Sequence, residues 1–230
     1  MYSLPDNYVR VEGIKNPSNA YLNTGYTCNK YSRIETKTNI VRNYQFIACS
    51  RSTGNTGMQG SGFIYYNNAL YSFSATSVVL QKGYNLVGNT YTLVQDNYLG
   101  YCYVDGVQGS KYIKGSSDTY SIYLFSRQGG GDATGSEGQI LPYFKIYDYQ
   151  TTSYVRYYIP CINENGVAGF FDAARGIFQG SGNSTAFEPV FEGNTEISEI
   201  FTSRTTANSS ILNMQTAKLT SIKGNTLVWN

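Results

Sequence analysis

The chain has 230 residues, only 14% of them charged, and a formal net charge of +2. With its basic residues scattered, this balance gives no electrostatic basis for binding nucleic acid or an anionic membrane. The complete absence of histidine excludes Ser-His-Asp and Cys-His catalysis and imidazole metal sites. The high counts of tyrosine and glycine, 23 and 24, favour strands joined by turns.

Short strands separated by turn signals account for most of the chain. The predicted strands cover residues 8–14, 20–22, 32–40, 44–50, 62–66, 69–75, 77–80, 90–95, 98–104, 107–108, 120–126, 143–147, 154–159, 167–171 and 177–178. Two glycine-rich loops, residues 51–61 and 127–137, interrupt them. Strands at intervals of roughly 8 to 12 residues predict an all-β antiparallel sandwich of two sheets.

The stretch from residue 139 to residue 178 has the clearest pattern. Phe144 and Ile146 alternate with Tyr143, Lys145 and Tyr147, so the two sets fall on opposite faces of a strand. Four polar residues then lead into a second strand, which predicts an antiparallel hairpin.

In that second strand, strict alternation places Tyr154, Arg156 and Tyr158 on one face. Pro160 has no amide hydrogen, so we expect it to end its strand or to lie on a sheet edge. Between residues 90 and 104, Asp96 and Asn97 predict a compact hairpin turn.

Several segments carry a family resemblance. They are YLNTGY at 21–26, YVDGV at 103–107, YVRYYIPC at 154–161, GVAGFFD at 166–172 and GIF at 176–178. Their order and spacing resemble the laminin-G-like, concanavalin A-like jelly rolls of phage and prophage structural proteins from gut bacteria. The resemblance covers roughly residues 8 to 190. It implies a concanavalin A-like (lectin/glucanase type) jelly roll over residues 1–190.

The last 40 residues differ in composition and predict a C-terminal extension, residues 191–230. Ile197, Ile200 and Phe201 have helical spacing, but the polar run after them disfavours a long helix. Residues 219–229 predict two strands around a turn at Gly224 and Asn225. We expect this extension, with its lone Trp229, to be an oligomerisation or docking arm; packing on its own domain is the alternative.

No catalytic residues are predicted. Glycosidases need only two carboxylates, but the glutamates are scattered and no Glu-x-Asp-x-Glu strand is present. The resemblance therefore implies a non-enzymatic, virion-associated protein for assembly, decoration or adhesion to glycans. A carbohydrate-binding module of a larger bacterial surface or secreted protein is the alternative, and a glycoside hydrolase is the second alternative.

The tyrosine excess is the remaining functional signal, because sugars stack on aromatic faces. The candidate ligand-binding residues are Tyr101, Tyr103, Tyr143, Lys145, Tyr147 and Arg156. Cross-strand tyrosine pairs that only stabilise the sheet are the alternative interpretation. If a glycan binds, these residues should lie on the concave sheet, near the two glycine-rich loops.

No cofactor is predicted; calcium is the alternative, with Asp132 and Glu137 as candidate ligands in the second glycine-rich loop. The four cysteines, Cys28, Cys49, Cys102 and Cys161, form no C-x-x-C pair and are expected to be buried thiols.

The expected location follows from the N-terminal sequence and the resemblance together. Residues 1–6 show no basic or apolar region of a signal peptide, and no apolar run is long enough to span a bilayer. We therefore expect a protein made in a bacterial cytoplasm and located in the virion, with the bacterial cell surface as the alternative. The expected partners are further copies of the chain or other virion proteins.

Overall fold

The computed structural model describes residues 2–50, 60–74, 76–82, 86–112, 118–127, 136–191, 219–223 and 226–229. These residues contain no α-helix, and none forms a helix with the length and hydrophobicity that crossing a membrane requires. In chain order the strands are β1 (Val9–Arg10), β2 (Gly13–Lys15), β3 (Leu22–Thr27), β4 (Ser32–Asn39), β5 (Gln45–Cys49), β6 (Ser61–Tyr66), β7 (Ala69–Ser74), β8 (Thr76–Lys82), β9 (Thr90–Asp96), β10 (Tyr101–Val104), β11 (Val107–Lys111), β12 (Ser121–Leu124), β13 (Ile140–Leu141), β14 (Tyr143–Asp148), β15 (Ser153–Ile162), β16 (Ala168–Asp172), β17 (Ile177–Gln179), β18 (Glu188–Val190), β19 (Leu219–Lys223) and β20 (Thr226–Trp229).

Two antiparallel sheets make up most of the described fold. The large sheet has nine strands in the order β11-β10-β9-β4-β14-β15-β16-β17, with β1 also paired to β15. The second sheet has six strands in the order β3-β12-β5-β6-β7-β8. A three-stranded sheet, β13-β2-β18, and the hairpin of β19 and β20 complete the topology.

One hydrophobic core joins the two main sheets. Ile34 and Phe144 of the large sheet belong to the same buried cluster as Ile47, Phe63 and Leu124 of the six-stranded sheet. Apolar side chains that alternate toward one shared interior are what seal a β-sandwich. The prediction of an all-β antiparallel sandwich is therefore confirmed.

The alternation predicted for β14 is also confirmed, and β4 shows the same pattern. In β4 every second residue from Ser32 is buried, and in β14 Phe144, Ile146 and Asp148 are buried while the residues between them are partly exposed. Both strands lie in the middle of the large sheet, so each presents one face to the core and the other outward. We call the surface of the large sheet that points away from the core the outer face.

Three local predictions are wrong. Residues 8–14 form two short strands rather than one, because Val11 and Glu12 donate to Pro160 and to Val190 in different sheets. The β9–β10 turn is longer than Asp96 and Asn97 alone, since β10 begins only at Tyr101.

Pro160 lies inside β15 and is paired with Phe170 of β16, so it neither ends a strand nor lies on the sheet edge. On the other side of β15, pairing with β14 reaches Tyr158 and pairing with β1 starts at Cys161. Pro160 lies where β15 changes from one of these partners to the other. Its carbonyl accepts the amide of Val11, and its missing amide hydrogen removes only the return bond of that pair.

Predictions for the remaining segments have separate outcomes. Cys28, Cys49, Cys102 and Cys161 are buried thiols, which confirms their predicted burial. The backbone of residues 219–223 and 226–229 forms the predicted pair of strands, with Lys223 opposite Thr226. The helical spacing at residues 197–201 and the turn at residues 224–225 lie outside the described residues, and so does the side chain of Trp229.

Candidate functional site

The strand register places side chains of the outer face in rows that run across the large sheet. The first row joins five neighbouring strands, from β10 to β15: Tyr103, Val94, Glu35, Lys145 and Tyr157. Each member lies opposite the next, at the spacing of adjacent strands. The row therefore has a tyrosine at each end and an acid–base pair near its middle.

A second row lies parallel to the first and nearer one end of the sheet. It consists of Tyr101, Asp96, Arg33, Tyr147 and Tyr154. The second row repeats the pattern of the first, since tyrosines again flank a central acid–base pair. Tyr143, which lies opposite Lys37 of β4, adjoins the first row on the side away from the second row.

Five of the six predicted ligand-binding residues thus share the outer face: Tyr101, Tyr103, Tyr143, Lys145 and Tyr147. The sixth, Arg156, does not. It lies opposite Ile146, whose side chain is buried in the core, and its Nε donates to the carbonyl of Thr24 at 2.8 Å. Its placement beside the other five is corrected.

The cause of this separation is a β-bulge at Val155. Ile146 lies opposite Arg156, but the next residue, Tyr147, lies opposite Tyr154, so Val155 is an extra residue in β15. A bulge reverses the side-chain alternation beyond it. Tyr154 therefore joins the outer face, whereas strict alternation groups it with Arg156.

Seven tyrosines form a continuous contact path on the outer face, which we call the tyrosine row. In order, with ring-centroid distances between neighbours, the members are Tyr31, Tyr98 (6.0 Å), Tyr149 (4.8 Å), Tyr147 (5.2 Å), Tyr154 (5.4 Å), Tyr157 (5.2 Å) and Tyr2 (4.9 Å). These separations are within the range of favourable aromatic pairs. The tyrosine row is thus one connected aromatic surface.

Turns supply much of the tyrosine row. Tyr98 lies in the β9–β10 turn, Tyr149 directly follows β14, and Tyr31 directly precedes β4. In an antiparallel sheet the end of one strand lies beside the start of the next, so these three positions meet at one end of the sheet. Residues distant in sequence therefore continue a row that begins on β14 and β15.

A buried carboxylate holds this end of the sheet together. One oxygen of Asp96, Oδ1, accepts hydrogen bonds from the amides of Tyr98 and Leu99 at 3.1 and 2.9 Å. Its Oδ2 accepts the Tyr149 hydroxyl at 2.7 Å and lies 3.8 Å from a guanidinium nitrogen of Arg33. Burial, reinforced by the bond to Asp96, raises the pKa of Tyr149, which keeps its hydroxyl a donor.

Charges of alternating sign occupy the middle of both rows. The carboxylate of Glu35 lies 3.7 Å from Arg33 and 3.5 Å from Lys145, and Arg33 continues to Asp96. We call these four residues the charge array. The ammonium of Lys145 also lies 4.4 Å from the ring centre of Tyr143 and 5.2 Å from that of Tyr157, both within cation–π range.

Tyr143 is closely tied to this charge array. Burial first, and then the neighbouring carboxylate of Glu35, raise the pKa of Tyr143 to about 12. Its hydroxyl is therefore neutral at any physiological pH. Glu35 is thus a structured member of the outer face.

Sequence reasoning missed most of the tyrosine row and three of the four charged residues. Pairing β4 with β14 could have placed Arg33 and Glu35 beside Lys145. The register of that pairing cannot be read from either strand alone. Tyr31 and Tyr149 lie outside the predicted strands, and Tyr98, predicted as the first residue of a strand, lies in a turn.

The predicted calcium ligands are only partly described. Asp132 and most of both glycine-rich loops lie outside the described residues. Glu137 is exposed and its carboxylate lies 3.8 Å from a guanidinium nitrogen of Arg42. Within the described part of the chain, no group of three or more acidic or cysteine side chains has the arrangement of a metal site.

Comparison with known proteins gives no family. No protein-family model and no curated protein matches this chain. Among solved structures, Trypanosoma rangeli sialidase matches with 14% identity and a TM-score of 0.37, covering 64% of this chain and 29% of the sialidase. Its complex with sialic acid matches with 16% identity and a TM-score of 0.39, covering 61% and 26%. The complex of the same sialidase with 2,3-difluorosialic acid, described as a covalent intermediate, matches with 14% identity and a TM-score of 0.37. The match covers 64% of this chain and 29% of the sialidase.

These matches correct one prediction. The sequence predicted that the chain is not an enzyme, but the matched solved structures are of sialidases, and we withdraw that prediction. The match assigns no activity in its place, because TM-scores below 0.5 and identities of 14 to 16% do not transfer a function. The matched region also spans less than a third of each sialidase chain.

Proposed function

We propose that the outer face of the large sheet binds carbohydrate through the tyrosine row and the charge array. The observation that carries this proposal is the connected path of seven tyrosine rings beside four charged side chains. The apolar C–H face of a sugar packs on an aromatic ring, while its hydroxyls need donors and acceptors at the ring's edge. The outer face offers both.

The hydroxyls of the tyrosine row support the same proposal. Among the described residues, no protein group is hydrogen-bonded to the hydroxyls of Tyr98, Tyr147 and Tyr154, which leaves them to water or to a ligand. The side chain of Tyr98 is 56% exposed. A ligand with many hydroxyls replaces such water with little loss of hydrogen bonding.

The dimensions of the rows favour an extended ligand. Each row crosses five strands, and four spacings of about 4.8 Å give a length of roughly 19 Å. That length matches several linked sugar units lying across the strands. We therefore propose an oligosaccharide or polysaccharide rather than a single small molecule.

A contact between protein subunits is the competing explanation, since tyrosine is enriched in such interfaces. The charged residues of the outer face weigh against a subunit contact, because the buried centres of interfaces are depleted of lysine and glutamate. Here Glu35 and Lys145 lie between the flanking tyrosines. The central charges favour a hydrated, hydroxyl-rich ligand.

The biological setting is also a proposal. The motif resemblance supports a concanavalin A-like jelly roll of the laminin-G-like type, in which residues 1–190 are the sandwich and residues 191–230 the arm. We propose that the protein is virion-associated, forms a homo-oligomer or binds other virion proteins, and adheres to host or mucosal glycans. Size-exclusion chromatography with light scattering tests the oligomer, and a monomer with and without residues 191–230 would contradict the role of the arm.

The test of carbohydrate binding compares two tyrosines of similar exposure. Tyr98 of the tyrosine row is 56% exposed, and Tyr66 at the end of β6, in the other sheet, is 48% exposed. The wild-type protein, Tyr98→Ala and Tyr66→Ala are applied to a glycan array, and the glycans that bind are measured by titration calorimetry. We expect Tyr98→Ala to weaken binding about tenfold, as for loss of one good aromatic contact, and Tyr66→Ala to leave it unchanged.

Three outcomes decide the proposal. Equal loss in both variants, or no binding of any glycan by the wild type, contradicts it. A wild-type dimer that Tyr98→Ala dissociates and Tyr66→Ala does not would establish the subunit interface instead. Analysis of each bound glycan after prolonged incubation also shows whether the protein cleaves what it binds.

A further inference from the structure

We infer that the glycan bound by the outer face is uncharged. This inference rests on the proposed function and specifies its ligand class. It depends on the charge array, in which Asp96, Arg33, Glu35 and Lys145 alternate in sign and sum to zero. A surface that selects an acidic saccharide needs a surplus of positive charge at its centre, and here the central residue of the three partly exposed charges is Glu35.

The charged groups of the charge array are too far apart to satisfy one another's hydrogen-bonding capacity. The three ion pairs have separations of 3.5 to 3.8 Å, longer than a normal hydrogen bond. By contrast, Lys15 and Glu188 elsewhere in the protein form a closed pair at 2.8 Å. The two exposed pairs, Arg33–Glu35 and Glu35–Lys145, can each accept an inserted group that donates to the carboxylate and accepts from the cation.

A sugar hydroxyl is such a group, because it is a donor and an acceptor at once. The side chains that would receive it are reachable, since those of Arg33, Glu35 and Lys145 are 37%, 23% and 20% exposed. Tyr143 and Tyr157 lie on either side of Lys145 and supply ring surfaces for the apolar side of the same sugar. The charge array and these rings together form one sugar-sized contact.

The same geometry disfavours an acidic ligand. A carboxylate or sulfate placed against Arg33 or Lys145 comes within a few ångströms of Glu35, whose like charge repels it. The outer face has further cations at its borders. Lys37 is exposed opposite Tyr143, and the ammonium of Lys111 lies 5.8 Å from the ring centre of Tyr101. They lie outside the charge array and do not offset Glu35 at its centre.

The test compares neutral with acidic polysaccharides of similar size. Mannan, galactan and β-glucan are the neutral probes, and polygalacturonate and heparin are the acidic ones. We expect wild-type protein to bind at least one neutral probe, with an affinity that changes less than about twofold between about 50 and about 500 mM NaCl because no charge on the ligand is screened. We expect no binding of the acidic probes.

Three variants assign the effect to Glu35. Glu35→Gln should weaken neutral binding about tenfold, since it loses a charged acceptor, and should gain salt-sensitive binding of the acidic probes. Glu164→Gln, an exposed glutamate beside Asn7, should match the wild type. Lys37→Gln, which removes a cation at the border of the outer face, should leave the acidic probes unbound.

The possible failures are distinguishable. Binding of acidic probes by the wild type, sensitive to both salt and Tyr98→Ala, would overturn the inference and leave the proposed function intact. Neutral binding that Glu35→Gln does not weaken would also overturn it. Absence of binding to every probe would reject the proposed function together with this inference.

Discussion

The buried carboxylate of Asp96 gives the sharpest prediction about stability. It joins four groups: the amides of Tyr98 and Leu99, the hydroxyl of Tyr149 and the guanidinium of Arg33. In Asp96→Asn the remaining carbonyl oxygen still accepts the two amides, but the charge that receives Tyr149 and Arg33 is lost. This substitution therefore separates the charged contacts from the turn contacts.

The expected cost follows from the two lost contacts. A hydrogen bond to a buried charged group contributes about 1.5 to 3 kcal/mol. The Arg33 pair adds at most about 1 kcal/mol, because its separation is long and the arginine is partly exposed. We therefore expect Asp96→Asn to lower the free energy of unfolding by about 2 to 4 kcal/mol.

The assay is urea unfolding of the purified protein, followed by fluorescence and circular dichroism. Asp105→Asn is the matched control: it lies at the next turn, is exposed and accepts the amide of Thr92 through Oδ1. This control should change stability by less than about 0.5 kcal/mol. Similar small losses in both variants would refute the assigned role of Asp96. A glycan affinity of Asp96→Asn equal to that of the wild type would show that the turn holding Tyr98 needs no such support.

Two further predictions concern the sandwich itself. Gly62 has φ +125°, and a Cβ there would lie 1.9 Å from the carbonyl oxygen of Ala48. Gly62→Ala should therefore lower the free energy of unfolding in urea by more than about 3 kcal/mol. The control is Gly88→Ala, which has φ +87° and open space around the added Cβ and should cost about 1 kcal/mol. Equal losses would contradict this close approach of β5 and β6. Burial raises the pKa of the Cys102 thiol to about 11 and that of Cys161 to about 12. Since the unfolded chain releases these protons first, the contribution of the two thiols to stability should be constant below about pH 8.5. It should fall between about pH 9 and about pH 12, by up to about 1.4 kcal/mol per pH unit for each thiol. In urea unfolding at a series of pH values, Cys102→Ala should reduce the slope between about pH 9 and about pH 11, and an unchanged slope would contradict the assignment.

Alternation was sufficient to predict the inner and outer faces of the central strands. In β4 and β14 the buried residues recur at every second position, and no insertion disturbs them. The prediction was wrong in β15, because Val155 is an extra residue and a bulge leaves no mark in the sequence that distinguishes it from a regular strand position. Arg156 was therefore assigned to the outer face, and Tyr154 was grouped with it.

The tyrosine row was beyond prediction for a related reason. Its contacts join Tyr98 to Tyr149 and Tyr154 to Tyr2, pairs that are distant in the chain and that meet only when the strand order is known. Local pattern gives strands and turns, but the order β9-β4-β14-β15 is a property of the whole sandwich. The six candidate residues came from strand patterns alone, so the turn tyrosines were absent from them.

The position of β4 explains how the outer face can be both exposed and well ordered. Ile34 and Thr36 of this strand are buried, and Arg33 and Glu35, on the opposite face, belong to the charge array. Because β4 is paired on both sides, with β9 and with β14, its backbone cannot shift without breaking two ladders. Side chains on such a strand keep their spacing when water is replaced by a ligand, which lowers the ordering cost of binding. For the same reason, substitutions at Arg33 and Glu35 should alter binding more than stability, whereas substitutions at Ile34 should do the opposite.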